Sequence, residues 1–363
     1  LCPKLDWDGL RARLRRLRAG LAAKGLDAFI AIQNARYLSG TTAAAAVIVS
    51  NEEPMLLCKR LEFDRAKRES TIKNIHAYFP RRAPLRWGER VYFGEFWQLL
   101  ARRLKELNAR KIGYDDLRRE TLQKLRSAYG ADYQELPELI TELRKIKSEQ
   151  EISCLRRAAR LAAEGMARAA ELIGEGRSEL EIAAEVEYAM RRKGSEGTPF
   201  STIVASGENS WLPHATASKK RLRRGELVVV DLGATYKGYA SDMTRTFSLA
   251  PTKKQLKLLE IARQSQAAAI GRIRDGVKAA AVDSAARRII HRAGYGMFCL
   301  HATGHGIGLD VHETPSLAPE SKDVLCRGMV TTVEPGVYVP KLGGARWEDV
   351  ALVTSKGREL LTC

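Results

Sequence analysis

The sequence predicts an α/β protein of two domains, on three observations. Its 363 residues exceed what one hydrophobic core ordinarily organises, and 45% of them are hydrophobic, enough to fill two. The N-terminal part alternates helical and strand patterns. The C-terminal part instead repeats one pattern, helix–helix–strand–strand, and each copy ends in acidic residues.

Residues 1–136 read as an alternating α/β domain. WDGLRARLRRLRAGLAAKGL places apolar residues at helical spacing and stops at Gly25. DAFIAIQ follows as a strand, then a loop containing Asn34-Ala-Arg-Tyr37. AAAAVIVSN and PMLLCK predict a strand pair around the turn residues Asn51 to Pro54. LEFDRAKRES is helical, FWQLLARRLKELN is an amphipathic helix, and KIGYDD opens another short strand. No ligand cluster or phosphate loop falls here, so the region is expected to serve as a scaffold or in dimerisation.

The boundary is expected within LPELITELRKIKSEQEI, with the second domain over 137–363. Pro137 interrupts the preceding pattern, and Ser148 followed by Glu151 has the form of a capping box. A long helix is predicted over about 149–173. Ile173-Gly-Glu-Gly176 then precedes an amphipathic helix ending at Gly194. Ile273-Arg-Asp-Gly276 precedes a similar one ending at Gly294, an offset of 100 residues at both ends. Arg224-Gly225 leads into a β-rich run to Asp231, and Arg327-Gly328 into another to Glu334. Asp242 and Glu348 complete the two sets. Two related halves, each giving two carboxylates, can close on one site as a clamp.

The formal net charge of +18 raises the question of a nucleic-acid or membrane partner. The basic residues are dispersed, however, and many alternate with acids, as in LARRLKELNARK. A solvated surface with ion-pair networks is the better expectation, and such networks are common in heat-adapted proteins. No apolar run is long enough to span a bilayer, and LCPKLDWDGL lacks the layout of a signal peptide. The six cysteines (Cys2, Cys58, Cys154, Cys299, Cys326 and Cys363) form no CxxC pair. They predict neither a disulfide framework nor a zinc knuckle, and a reducing cytoplasm fits them.

Five metal-ligand candidates lie in order: Asp231, Asp242, His305, Glu334 and Glu348. Their segments are VVVDLGATYKGYASDMTRTF, HATGHGIGLDVHE, TTVEPGVYVP and GGARWEDVALVT. Four carboxylates and one imidazole can hold two divalent cations, a pair that makes hydroxide available near neutral pH and polarises a carbonyl. Asp231 ends an apolar strand, where an unpaired charge is costly. Asp242 beside it would bring like charges together, favouring protonation unless a cation intervenes. His305 lies between glycines, and His301 and His312 crowd the same segment, so three of the six histidines fall within twelve residues. Each of these residues also has an ordinary reading, as a turn or strand-end residue. Asp349 beside Glu348 leaves that assignment open, since alternation turns only one of them inward.

These segments resemble the pita-bread metallopeptidases, and KIKSEQEISCLRRAARLAAEGM and FSTIVASGENSWLPHAT resemble their proline-specific branch. The resemblance covers about residues 140 to 360. It implies a creatinase-like N-terminal α/β domain followed by a pseudo-twofold α+β pita-bread catalytic domain. It also implies a homodimer and Xaa-Pro peptides as substrates; no specific nucleic-acid or membrane partner is expected from the charge pattern and hydropathy above. Asp231 and Asp242 would bind one metal and His305 and Glu334 the other, with Asp242 and Glu348 bridging. That choice of Glu348 over Asp349 comes from the resemblance. Glu334 would also be the general base, and His214 would stabilise the oxyanion. His312 would contact substrate near the scissile bond. His301 resembles a further active-site histidine, and Arg346 a residue that supports the ligands or orients substrate. The oxygen-rich donor set suits Mn²⁺ first, with Co²⁺, Zn²⁺ or Fe²⁺ as alternatives.

The resemblance leaves two activities. A dipeptidase must grip the free carboxylate of proline, and prolidases often carry an Arg for this shortly after the His-Glu segment. In VHETPSLAPESKD the matching position is Ser316. The expectation is therefore an Xaa-Pro aminopeptidase, with the Xaa-Pro dipeptidase (prolidase) as the alternative. A non-catalytic binding module of the same fold is the remote third reading, disfavoured by the intact ligand set.

Overall fold

The computed structural model describes residues 7–362. The signal-peptide expectation at residues 1–6, and Cys2 and Cys363, lie outside that range. The chain divides into two compact units, Leu1–Arg144 and Lys145–Cys363.

The first unit is built on one seven-stranded mixed sheet. In spatial order its strands are Val91–Phe93, Asn74–Phe79, Met55–Lys59, Ala46–Val49, Ala28–Ala31, Lys111–Tyr114 and Asp132–Glu135. Ala46–Val49 pairs antiparallel with both neighbours and the other pairs are parallel. The central strands read as short apolar runs because both faces are covered. The helices expected from WDGLRARLRRLRAGLAAKGL and FWQLLARRLKELN span Trp7–Lys24 and Phe96–Glu106.

Two expectations need correction here. Asn34 to Tyr37 is not simply a loop, because Ala35–Ser39 forms a short helix. Its entry is fixed from a distance: Asp115 accepts the backbone N–H groups of Ile32 and Asn34 at 2.7 and 2.8 Å. No local periodicity can announce five residues held that way. The division into units also falls after Arg144 rather than at 136/137. The intervening helix belongs with the first unit because Arg144 donates to Asn34 Oδ1 at 2.6 Å.

The second unit carries the repeat. Its helices are Glu149–Leu172 and Glu179–Arg192 in one half, Lys253–Ile270 and Ala279–Arg292 in the other. Ser148 and Glu151 cap the first reciprocally, at 3.3 and 2.9 Å. The hydrogen bonds repeat along with the sequence. Gly176 N–H donates to Leu222 O, and Gly276 N–H to Leu325 O. Glu179 N–H donates to Lys220 O, and Ala279 N–H to Asp323 O. Each half has its own apolar core, one around Leu161, Val186 and Val230, the other around Ala269, Val282 and Val333. A third cluster joins them, with Ile152 and Leu155 packed among Ile307, Val330 and Val350.

The first half contributes a three-stranded sheet, Met243–Leu249, Glu226–Leu232 and Ile203–Ser206. The second contributes five strands, of which Gly304–Gly306, Val330–Val333 and Asp349–Thr354 bear on the site. Charge on the outside is organised in pairs such as Arg86–Asp64 and Arg168–Glu185, each 2.8 Å apart. Among the described residues no helix is long and apolar enough to cross a membrane.

Candidate active site

Each half delivers its acids at strand ends. Asp231 lies near the end of Glu226–Leu232, and Asp242 immediately precedes Met243–Leu249. Glu334 immediately follows Val330–Val333, and Glu348 immediately precedes Asp349–Thr354. The edges of the halves meet directly. Glu348 N–H donates to Thr244 O at 3.1 Å, and Thr244 Oγ1 donates to Glu348 Oε2 at 2.7 Å. Thr246 Oγ1 donates to Arg346 O at 2.9 Å and accepts Arg346 N–H at 3.0 Å.

His305 sits in the strand Gly304–Gly306, where the flanking glycines answer a close approach. A Cβ on Gly304 would stand 2.1 Å from Thr332 O, and one on Gly306 2.2 Å from Thr314 O. No other residue lets this strand slot between its neighbours. The His305 Nδ1 is 3.0 Å from Gly306 O, so Nδ1 carries a proton and Nε2 is the nitrogen turned toward the acids. Nε2 faces Glu334 Oε1 at 3.1 Å and Asp242 Oδ2 at 3.9 Å. His305 and Glu334 keep 15% and 17% of their side-chain surface open, so they border the accessible side.

Asp242, His305 and Glu348 each point one ligand atom to within 4.8 Å of the others. Asp231 joins through Arg346, whose Nη2 donates to Asp231 Oδ2 at 2.5 Å. Asp231 Oδ1 and Glu348 Oε1 are buried without any hydrogen-bond partner. Such orphaned acceptors are costly. Burial raises Asp231, and burial with the charges of Glu348 and Asp231 raises Asp242 well above the carboxylate range. Glu348 is raised likewise, by burial and the charges of Glu334 and Asp231. Buried, repelling carboxylates with open oxygens are a donor set that a cation relieves, and the residues present fit divalent metal ions.

Glu334 differs. Burial would raise it, but the His305 hydrogen bond and charge hold it at about 2. His305 mirrors this, raised by Glu334 against the lowering effect of burial. Asp349 turns away from the cluster to accept from Arg245 Nη2 and Gln266 Nε2, both at 2.8 Å.

Of the remaining expected residues, Arg346 is buried in the middle of the site and His301 touches it through a residue the sequence reading missed. Arg346 Nη1 donates to Tyr338 Oη at 2.6 Å, and Tyr338 Oη lies 2.8 Å from His301 Nε2. His301 Nδ1 faces Ala302 O at 2.8 Å, so its Nε2 is the acceptor for the tyrosine hydroxyl. Burial lowers His301 and pushes Tyr338 up to about 12. His312 is exposed, its ring 4.3 Å from that of His305. His214 is also exposed, and its charge contributes to lowering both His301 and His312. Thr244 and Tyr338 had no signal beyond alternation within their strands.

The fold and this cluster define a metallopeptidase. The chain belongs to metallopeptidase family M24, which matches residues 153–355, and residues 13–146 match the creatinase/prolidase N-terminal domain. Its architecture is thus a creatinase-like α/β domain followed by the pita-bread fold, and the family is one that uses divalent metal ions. A Pyrococcus furiosus Xaa-Pro dipeptidase is 37% identical over 360 residues, spanning 97% of this chain and 98% of its own. Among solved structures, an Xaa-Pro dipeptidase from Bacillus anthracis superposes with a TM-score of 0.89 at 33% identity, over 97% of each chain. An X-Pro aminopeptidase from Thermotoga maritima gives 0.85 at 31% identity, also over 97% of each.

Proposed function

We propose that this metallopeptidase hydrolyses the Xaa-Pro bond of dipeptides, a prolidase activity. The sequence alone put the Xaa-Pro aminopeptidase first. The near full-length similarity to an Xaa-Pro dipeptidase supports the alternative better, and it is the observation that carries this reading. The aminopeptidase stays as the second reading on one specific ground. Ser316, opposite His305 in the strand pairing, offers no guanidinium to a substrate carboxylate. Steady-state rates on an Xaa-Pro dipeptide and its Xaa-Pro-Yaa tripeptide, both with Mn²⁺, decide between them. A marked preference for the dipeptide is expected; equal or faster tripeptide cleavage overturns it.

In this reading Asp231, Asp242, His305, Glu334 and Glu348 would hold two divalent ions. Mn²⁺ is the first choice for so oxygen-rich a set. When bound, such a pair would lower the pKa of a water toward ~7 and polarise the scissile carbonyl. The protein's own groups do the rest. Arg346 occupies Asp231 Oδ2 and leaves Oδ1 open for an ion. The lowered Glu334 is ionised at neutral pH. It takes the proton of the attacking water at a carboxylate oxygen and returns it to the proline nitrogen, a tertiary amide without N–H. His214 donates to the developing oxyanion, and His312 contacts the substrate beside the scissile bond. His301, through Tyr338, steadies Arg346. The free thiols of Cys58, Cys154, Cys299 and Cys326 support a reducing, cytoplasmic location. The homodimer implied by family membership is tested by light scattering.

A further inference from the structure

The imidazole expected to meet the oxyanion is exposed, and among the described residues no hydrogen bond holds its ring. The place of His214 is therefore set by the backbone that carries it, the segment from Ser206 to Ser218. One buried carboxylate grips that segment at both ends. Glu179 is 0% exposed and begins the helix Glu179–Arg192. Its Oε1 accepts Ser206 N–H at 2.7 Å and Ser206 O–H at 2.8 Å. Its Oε2 accepts Ser218 N–H at 3.0 Å and Ser218 O–H at 2.7 Å. Asn209 Nδ2 donates to both oxygens at 3.1 Å.

We propose that Glu179 is a positioning residue that sets the location of His214 by clamping both stems of its loop. The simpler account makes Glu179 a satisfied helix-end residue. The helix end, however, is already capped by Ser178 and Glu181, at 3.2 and 2.7 Å. All the donors to Glu179 come from the loop instead. A buried carboxylate without a cation is tolerated only when its oxygens are fully bonded, so loop and carboxylate fix one another. The tip has further ties: Gly344 N–H donates to Ser210 Oγ at 3.0 Å, and Arg346 Nη1 to Pro213 O at 3.2 Å. The other half uses a related device. Asp283, on the helix Ala279–Arg292, accepts Thr303 Oγ1 at 2.8 Å, and its ion-pair partner Arg287 donates to His301 O at 2.7 Å.

The catalytic part of this proposal rests on the reading of His214 as the oxyanion donor; the positional part does not. Glu179→Gln tests both. A glutamine keeps one acceptor but turns an NH₂ group toward the other stem's backbone N–H, a donor facing a donor. Hydrogen–deuterium exchange is expected to rise about tenfold in residues 207–217 while the helix stays protected. Turnover on an Xaa-Pro substrate is expected to fall about 10- to 100-fold in kcat with KM little changed. Combined with His214→Ala, Glu179→Gln is expected to add no further loss, because it acts through that side chain. Unchanged exchange in the segment, or losses that multiply in the double variant, overturns the proposal. Raised exchange with a fully active His214→Ala enzyme upholds the clamp and removes the oxyanion role. If Glu179→Gln fails to fold, Ser218→Ala, which deletes one donor and keeps the backbone bond, runs through the same cycle. Its losses are expected to be smaller and equally non-additive with His214→Ala.

Discussion

In the first half of the catalytic unit both site carboxylates, Asp231 and Asp242, are raised by burial. In the second half Glu348 is raised as well, but Glu334 is held at about 2. The two halves share helices, turns and strand ends, so the scaffold does not account for the contrast. His305 does, with Nε2 3.1 Å from Glu334 Oε1. Asp231 in the first half instead receives Arg346 from the second, a cation that neither gives up its charge nor offers a lone pair. A repeated framework thus builds a near-symmetric set of acids, and one imidazole singles out the acid that stays ionised.

The sharpest way to break this contrast is to remove Glu334. Glu334→Ala is expected to lower kcat by about 10³-fold or more, since in the proposed mechanism it removes an ion ligand and the proton acceptor together. Circular dichroism should show a retained fold, and near-normal turnover would contradict its role. His214→Ala keeps the acid set and, in the proposed mechanism, loses only an oxyanion contact, so a smaller fall of about 10²-fold in kcat is expected from initial rates.

The pH dependence of stability separates the two kinds of acid in metal-stripped protein. Raised carboxylates bind protons in the folded state, so their contribution is complete below ~4 and is lost as pH rises above it. The lowered Glu334 works the other way, stabilising above ~4.5 and losing its effect as pH falls toward 2. Three raised acids outweigh one lowered acid. Melting temperatures of the stripped protein are expected to fall from pH 5 to pH 8, and added Mn²⁺ to reverse that slope. A flat profile with and without Mn²⁺ would remove the electrostatic argument.

The smallest effect concerns a link within the second half that holds Arg346. Tyr338→Phe deletes the hydroxyl between Arg346 and His301, for a loss of about 1–2 kcal/mol in stability by denaturant titration. No measurable change would show that the link is incidental.

Much of this was legible in the residues. Four of the ligand candidates, the repeat and the capping box at Ser148 rest on local pattern, while Glu348 rather than Asp349 came from the family resemblance. Three things were not legible, for one shared reason. The helix Ala35–Ser39 depends on Asp115, the attachment of the Glu138–Lys145 helix to the first unit depends on Asn34, and the grip on the His214 loop depends on Glu179. In each case a polar side chain distant in sequence satisfies backbone or side-chain groups, and neither periodicity nor motif spacing encodes such a pairing. The choice between dipeptide and longer substrate was drawn from the single residue Ser316, whereas similarity along the whole chain favours the other side.

The central claim is that Asp231, Asp242, His305, Glu334 and Glu348 together hold two divalent ions. Calorimetric titration of metal-stripped protein with Mn²⁺, followed on the same sample by activity, tests it most directly. The account predicts two ions per chain, activity that returns as they bind, and loss of both in Glu348→Gln, whose carboxylate lies in the mutual cluster with Asp242 and His305. A stripped protein that binds no Mn²⁺ and remains fully active would contradict it.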